Sequence, residues 1–124
     1  MGKLYFYIFK GNELNILECK RTTVDKYFLD NGKTRIRDEK KHPNNVAYGN
    51  LNEIIMFSNV NNNYEDFFKT GIAFINKQIS KYKRQYDRLD SNETEKLKDL
   101  ERIIGTYHEL LKNMFAYELE KLSK

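Results

Sequence analysis

YEDFFKTGIAFINKQISKYKRQYDRLDSNETEKLKDLERIIGTYHELLKNMFAYELEKLSK, residues 64–124, contains no proline and only two glycines, Gly71 and Gly105. Apolar residues recur through it at helical spacing, and a single polar break, Asp90-Ser91-Asn92-Glu93, divides it. The pattern predicts a helical hairpin, with one helix over 64–89 and a second over 94–122. In the first, Phe68, Ile72, Ile75, Ile79, Tyr82, Tyr86 and Leu89 follow one another at spacings of 4, 3, 4, 3, 4 and 3, a heptad seam suited to packing along another helix at a shallow angle. Phe67 and Phe74 widen that stripe. Asn62 or Asn63 can cap its start, with Glu65 and Asp66 in the first turn, where the helix dipole favours anions.

The second helix has its own seam, Leu97, Leu100, Ile104, Tyr107, Leu111 and Met114, which then drifts to Phe115, Leu119 and Leu122. Asn92 with Glu95 fits a capping box in its Asn variant. Ile103, Leu110 and Tyr117 add a second apolar row, so this helix is apolar on more than one face. At ~1.5 Å per residue it spans about 40 Å. Strands of typical length, about 20 Å, cannot cover it. A partner surface is therefore expected, and two-fold packing against a second copy is the default.

Residues 1–60 read as a β-rich half, and 61–124 as the hairpin, the two forming one structural unit of α+β class: an N-terminal antiparallel sheet followed by a long C-terminal helical hairpin. Over residues 3–10, Leu4, Phe6 and Ile8 alternate with Tyr5, Tyr7 and Phe9, so both faces are apolar and the strand should be central or covered on both faces. Gly11-Asn12 then turns the chain into a return strand, Glu13–Cys19. Residues 21–29 are rich in β-formers, and Asn31-Gly32 signals a two-residue hairpin with both central residues at positive φ. In the strand after it, Thr34 and Ile36 are placed inward and Lys33, Arg35 and Arg37 outward. Asp38–Asn45 reads as a polar loop, Val46–Tyr48 as a brief pairing segment, and Leu51–Phe57 as a last strand with a short helix as the competing reading. The asparagine-rich run 58–63 marks the boundary between the halves.

Composition narrows the class. The chain has 124 residues, 40% of them hydrophobic and 32% charged, with nine Tyr, eight Phe and no Trp. Its net charge of +4 is dispersed: ten Lys+Arg against seven Asp+Glu in residues 1–62, and twelve against eleven in residues 63–124. Strong nonspecific nucleic-acid binding wants a dense cationic stripe, so nucleic acid is not the expected partner. Cys19 is the only cysteine, which excludes an intramolecular disulfide and a cysteine-based metal site. No apolar run approaches membrane-spanning length and no secretory leader is legible, so a soluble, cytoplasmic protein is expected. Fourteen asparagines among many Lys and Ile suggest AT-rich coding, as in low-GC bacteria and their phages.

No catalytic signature emerges. His42 stands before Pro43 in a loop and His108 is mid-helix, and neither has a partner at metal-ligand spacing. Gly11, Gly32 and Gly49 are isolated turn glycines rather than a phosphate-cradling loop. Neither catalytic nor metal-ligating residues, and no cofactor, are predicted. The most suggestive segment is Lys81-Tyr82-Lys83-Arg84-Gln85-Tyr86-Asp87-Arg88, where two tyrosines interleave with cations. Rings can stack a base while Arg and Lys hold phosphates. The same residues also suit a seam with an ordinary solvated face, and cations near a helix C-terminus are favourable without any ligand. The candidate ligand-binding residues are Tyr82, Arg84, Tyr86, Arg88, Asn92 and Arg102. The row Lys33, Arg35 and Arg37 is the rival site, or else plain edge protection.

A compact β-rich half over Leu4–Phe57, followed by long helices over Tyr64–Leu89 and Thr94–Leu122, resembles in layout the Thoeris anti-defence 1 family of phage proteins. Members of that family are sponges for cyclic ADP-ribose-type signals, and their long helices interlock in a dimer. The resemblance implies a non-enzymatic homo-oligomer that sequesters a nucleotide-type immune signal in pockets between helices. It is one of architecture and assigns no pocket residues. The alternatives are a protein-protein inhibitor of a bacterial defence system, of anti-CRISPR style, and a weak nucleic-acid binder.

Overall fold

A computed structural model describes residues 3–23, 26–36 and 43–122. In chain order the elements are β1 (Tyr5–Lys10), β2 (Glu13–Thr22), β3 (Lys26–Leu29), β4 (Thr34–Ile36), β5 (Tyr48–Gly49), β6 (Glu53–Ser58), α1 (Tyr64–Asp87) and α2 (Thr94–Leu122). The sheet is antiparallel with strand order β4-β3-β2-β1-β6-β5. The α+β class read from the sequence is therefore the observed one. The segment ending in Phe57 is a strand, not the competing helix. Arg37 and His42, with most of the loop from Asp38, lie outside the described residues.

The doubly apolar β1 is central, paired with β2 on one side and β6 on the other. Its two faces feed two cores. Tyr7 and Phe9, with Leu14 of β2 and Ile54 and Met56 of β6, face the helices and meet Phe67, Phe68, Ile75 and Ile79 of α1 and Tyr107, Leu110 and Met114 of α2. Phe6 and Ile8, with Ile55 and Phe57, face the other way and meet Tyr27 and Leu29 of β3. Residues of β3 and β6, which have β2 and β1 between them, can share that second core only because the sheet curls. A bulge between Cys19 and Arg21 bends β2 and lets β3 and β4 swing over the face away from the helices.

Two turns explain the strand ends. Gly11 has φ +67° and Asn12 is not in the left-handed region, an arrangement of type II′ for a two-residue loop. The Asn31-Gly32 turn differs from its sequence reading. Only Gly32 has positive φ (+83°), Gly32 N–H donates to Leu29 O at 3.1 Å and Leu29 N–H donates to Lys33 O at 2.9 Å. That is a three-residue loop with the glycine at its bulge position, in which Asn31 needs no strained φ.

The join between sheet and helices is a pinned corner rather than a slack linker. The Tyr7 hydroxyl donates to Val60 O and accepts from Asn63 N–H. Asn62 takes the left-handed conformation at φ +70°, which asparagine tolerates. Asn63 occupies the cap position of α1 but makes no capping bond with its side chain. Its amide instead donates to Asn45 Oδ1 and Asp66 Oδ2, each at 3.1 Å. The expected side-chain cap is thus replaced by a tie between two loops.

Within the hairpin, Gly71 lets the helices approach. A Cβ there would lie 3.1 Å from Met114 Sδ and 3.2 Å from its Cε. The first helix ends at Asp87, two residues before the expected Leu89, with Arg88 N–H bonded to Gln85 O at 3.2 Å. The second begins at Thr94, as expected. Its start differs from the Asn92–Glu95 capping box: Glu93 closes the turn, accepting Asp90 N–H at 3.0 Å through its carboxylate while its own N–H donates to Asp90 O. The carboxylate that reaches back is Glu93, two residues before the Glu95 that the sequence pattern offered. Asn113 Nδ2 donates to Gly11 O at 3.1 Å and fastens α2 to the β1–β2 turn.

Candidate functional site

The suggestive tyrosine-cation segment lies on the last turns of α1, and the structure divides its residues by task. Tyr82 stacks on Tyr107 across the hairpin, with ring centroids 6.0 Å apart and 22° between planes. Lys81 Nζ lies 5.2 Å from the Tyr82 centroid. Tyr82 therefore serves the helix–helix seam, and burial raises the phenol of its partner Tyr107 above the ordinary value. Tyr86 donates its hydroxyl to Glu101 Oε1 at 2.9 Å, and that carboxylate holds the Tyr86 phenol above its ordinary value.

Arg84, Arg88, Asn92 and Arg102 are exposed. They do not converge on one hollow. Arg88 lines an open cleft of about 410 Å³ at the hairpin tip with Gln85, Leu89, Lys96, Asp99 and Leu100. Tyr86 lines a neighbouring groove of about 400 Å³ with Lys83, Glu101, Ile104 and His108. Arg102 borders a third, where α2 meets the β1–β2 turn near Gly11 and Leu51. Asn92 sits in the interhelical turn. Among the described residues no group of three His, Cys, Asp or Glu side chains is placed to hold a metal.

The lining at the tip combines two leucines, Leu89 and Leu100, with two cations, Arg88 and Lys96, and one carboxylate, Asp99. Arg88 makes no ion pair with any described residue, while Lys96 reaches Glu93 at a loose 3.5 Å. This cleft can receive an anion with a flat apolar part. It lacks a nucleophile held by a base within hydrogen-bond reach, the arrangement that covalent chemistry needs. Sequence reading had singled out Arg88 but not Leu89, Lys96 and Leu100 as its neighbours. Leu89 and Leu100 fall at seam positions in the sequence, and seam spacing alone does not show that they line a cleft.

The rival row behaves differently from its sequence reading. Arg35 is not a free outward cation. Its two terminal nitrogens donate to the two carboxylate oxygens of Glu53 at 2.6 and 2.9 Å. The pair joins β4 to β6 across the concave face of the curled sheet. A sequence read strand by strand could not place it, since the two residues meet only after the bulge in β2 bends the sheet. Arg35 holds the Glu53 carboxyl below its ordinary value of 4.5, with a smaller contribution from Lys10. The sign of the linkage follows: the pair stabilises the fold fully above the ordinary value and is lost as pH falls through the depressed native one. Glu53→Gln should therefore cost about 1–2 kcal/mol at neutral pH, modest because the pair is partly solvated. Urea titrations should show the gap between wild type and variant close as pH drops below 4.5. A gap that stays constant into acid would show that the pair contributes nothing.

No helix among the described residues is long and apolar enough to cross a membrane. Compared with known protein families, with curated proteins and with solved structures, the chain has no match.

Proposed function

We propose that this chain is a non-catalytic capture protein for an anionic, nucleotide-type small molecule, working as a homo-oligomer in a phage-type anti-defence role. The observation that carries the reading is the hairpin-tip cleft, whose lining brings the unpaired Arg88 guanidinium and Lys96 together with Leu89 and Leu100, against one carboxylate, Asp99. A base laid on the leucines gains from apolar burial. Its phosphates gain charge-assisted hydrogen bonds from the two cations. An open cleft binds such a molecule only shallowly, so a second copy closing over it fits the reading. Phe115 and Leu119, one turn apart on α2 and about 20 Å or more along it from Leu100, are 45% and 71% exposed and offer a second copy an apolar strip away from the tip.

The test begins with protein purified under native conditions, heat-denatured, and its released small molecules read by mass spectrometry. Release of a nucleotide-type anion is the expected result. Arg88→Ala should weaken recapture of that molecule by about tenfold or more. Arg84→Ala, one turn back and outside the cleft lining, should weaken it less. Unchanged capture by Arg88→Ala would remove the tip as the site. The exposed Phe115–Leu119 pair also favours a second reading, a protein-protein inhibitor, in which the purified chain releases no ligand and instead retains a protein partner.

A further inference from the structure

The concave face of the curled sheet holds a separate cleft of about 530 Å³, at the Lys10 end of β1 and on the side away from the helices. We propose that it is a binding site for a small phosphomonoester carrying an apolar body. The inference goes beyond the hairpin-tip reading and does not depend on it. The volume lies within the range of small-molecule sites, about 300–1,000 Å³.

The floor is Ile8, Leu17 and Leu29, which belong to the second core or pack against it. The wall is the Arg35–Glu53 pair, and its bidentate geometry leaves neither partner free to act as the main hook for a ligand. The remaining charges among the described lining residues are Lys10 and Lys33, both exposed. Neither ammonium makes an ion pair or hydrogen bond with a described residue. Among its described lining residues the cleft thus presents three cations against one carboxylate.

The type of cation sets the type of anion. A carboxylate is matched best by the planar fork of an arginine, and the one arginine among the described lining residues is taken. Two lysines are compact point charges that suit a dianion with several oxygens, as a phosphate monoester is near neutral pH. Asn31 uses its side-chain oxygen to accept Lys33 N–H at 3.0 Å, which directs its amide N–H groups elsewhere as donors. Asn15 and Thr34 add further polar groups on the same lining. The three apolar floor residues cannot hold a bare phosphate, so the ester's organic part is what they receive.

The experiment uses the full chain, ¹⁵N-labelled, titrated at low salt with phenyl phosphate, with inorganic phosphate and with phenol in separate arms. Phenyl phosphate at millimolar concentration should shift the side-chain amide signals of Asn15 and Asn31 and the backbone signal of Thr34. The Lys10→Gln/Lys33→Gln double variant, whose changes are both on exposed positions, should keep its circular dichroism and bind at least about tenfold more weakly. Arg88→Ala should bind phenyl phosphate at this cleft as wild type does. Inorganic phosphate should move the same signals more weakly, and phenol should not move them. No shift, shifts confined to the surroundings of Arg88 and Lys96, or phenol equal to phenyl phosphate would each overturn the proposal. Inorganic phosphate binding as tightly as the ester would overturn the apolar half of it. A failure here leaves nucleotide release by the heated protein unaffected, so the two readings fall separately.

Discussion

Ile75→Asp yields no folded protein. Ile75 is at the middle of α1, is 0% exposed, and belongs to the core that the sheet and both helices share. Removing its aliphatic side chain alone costs about 2–5 kcal/mol. The carboxylate then either stays ionised without a partner, at a penalty of several kcal/mol, or is protonated at a similar cost near neutral pH. A domain of this size has about 5–15 kcal/mol in hand, so the combined loss removes most or all of it. Circular dichroism and one-dimensional proton spectra should show loss of helix and of dispersed methyl signals. Leu119→Asp is the contrasting arm. Its side chain is 71% exposed, so the fold and Tm should stay as they are. Under the homo-oligomer proposal the same change should lower the mass seen by light scattering towards one copy. A folded Ile75→Asp protein would contradict the shared core, and an unfolded Leu119→Asp protein would contradict the exposure of that face.

The features that were legible in the sequence are those set by one element's own periodicity. β1 announces its central place because Phe6 and Ile8 on one side and Tyr7 and Phe9 on the other all need cover, and the structure supplies a core on each side. The heptad spacing from Phe68 through Tyr82 and from Leu97 through Met114 marks the hairpin, and Ile75, Ile79, Tyr107 and Met114 are buried in it. Boundaries were less legible. Leu89 continues the α1 seam by spacing, yet the helix stops at Asp87 because Arg88 and Leu89 N–H groups bond back to Gln85 and Tyr86 in tight turns.

Features that depend on two distant segments were not legible. Arg35 alternates with Thr34 in a way that reads as an outward cation, and nothing near it names Glu53 as its partner. The asparagine-rich segment reads as a loose boundary, yet Asn62 and Asn63 build a corner with Tyr7 and Asn45. At the candidate site the same division holds. Tyr82 and Tyr86 carry both seam spacing and stacking chemistry, and only the positions of Tyr107 and Glu101 on the other helix show the Tyr82 ring and the Tyr86 hydroxyl already engaged.

Tyr7→Phe lowers stability by about 2 kcal/mol, although it removes a single oxygen atom. The ring stays, so its stacking on Phe67, with centroids 5.9 Å apart, is unchanged. The hydroxyl is the only atom lost, and two backbone groups depend on it: Val60 O, to which it donates, and Asn63 N–H, which reaches it at 2.8 Å. A buried backbone group left unpaired costs about 1–3 kcal/mol. Val60 is 55% exposed, so water can replace part of what is lost on that side, while Asn63 opens α1 and is more enclosed. Burial raises the Tyr7 phenol above its ordinary value, so the group remains a neutral donor throughout the neutral range. Urea unfolding should show the midpoint falling by about 1 M with an unchanged slope, since no surface is newly exposed in the native state. Hydrogen exchange should speed up at the Asn63 amide, which has lost its acceptor, ahead of amides in the middle of α1. The corner between β6 and α1 would then be the first part of the fold to open. An unchanged midpoint together with unchanged exchange at Asn63 would mean that the corner is held without Tyr7.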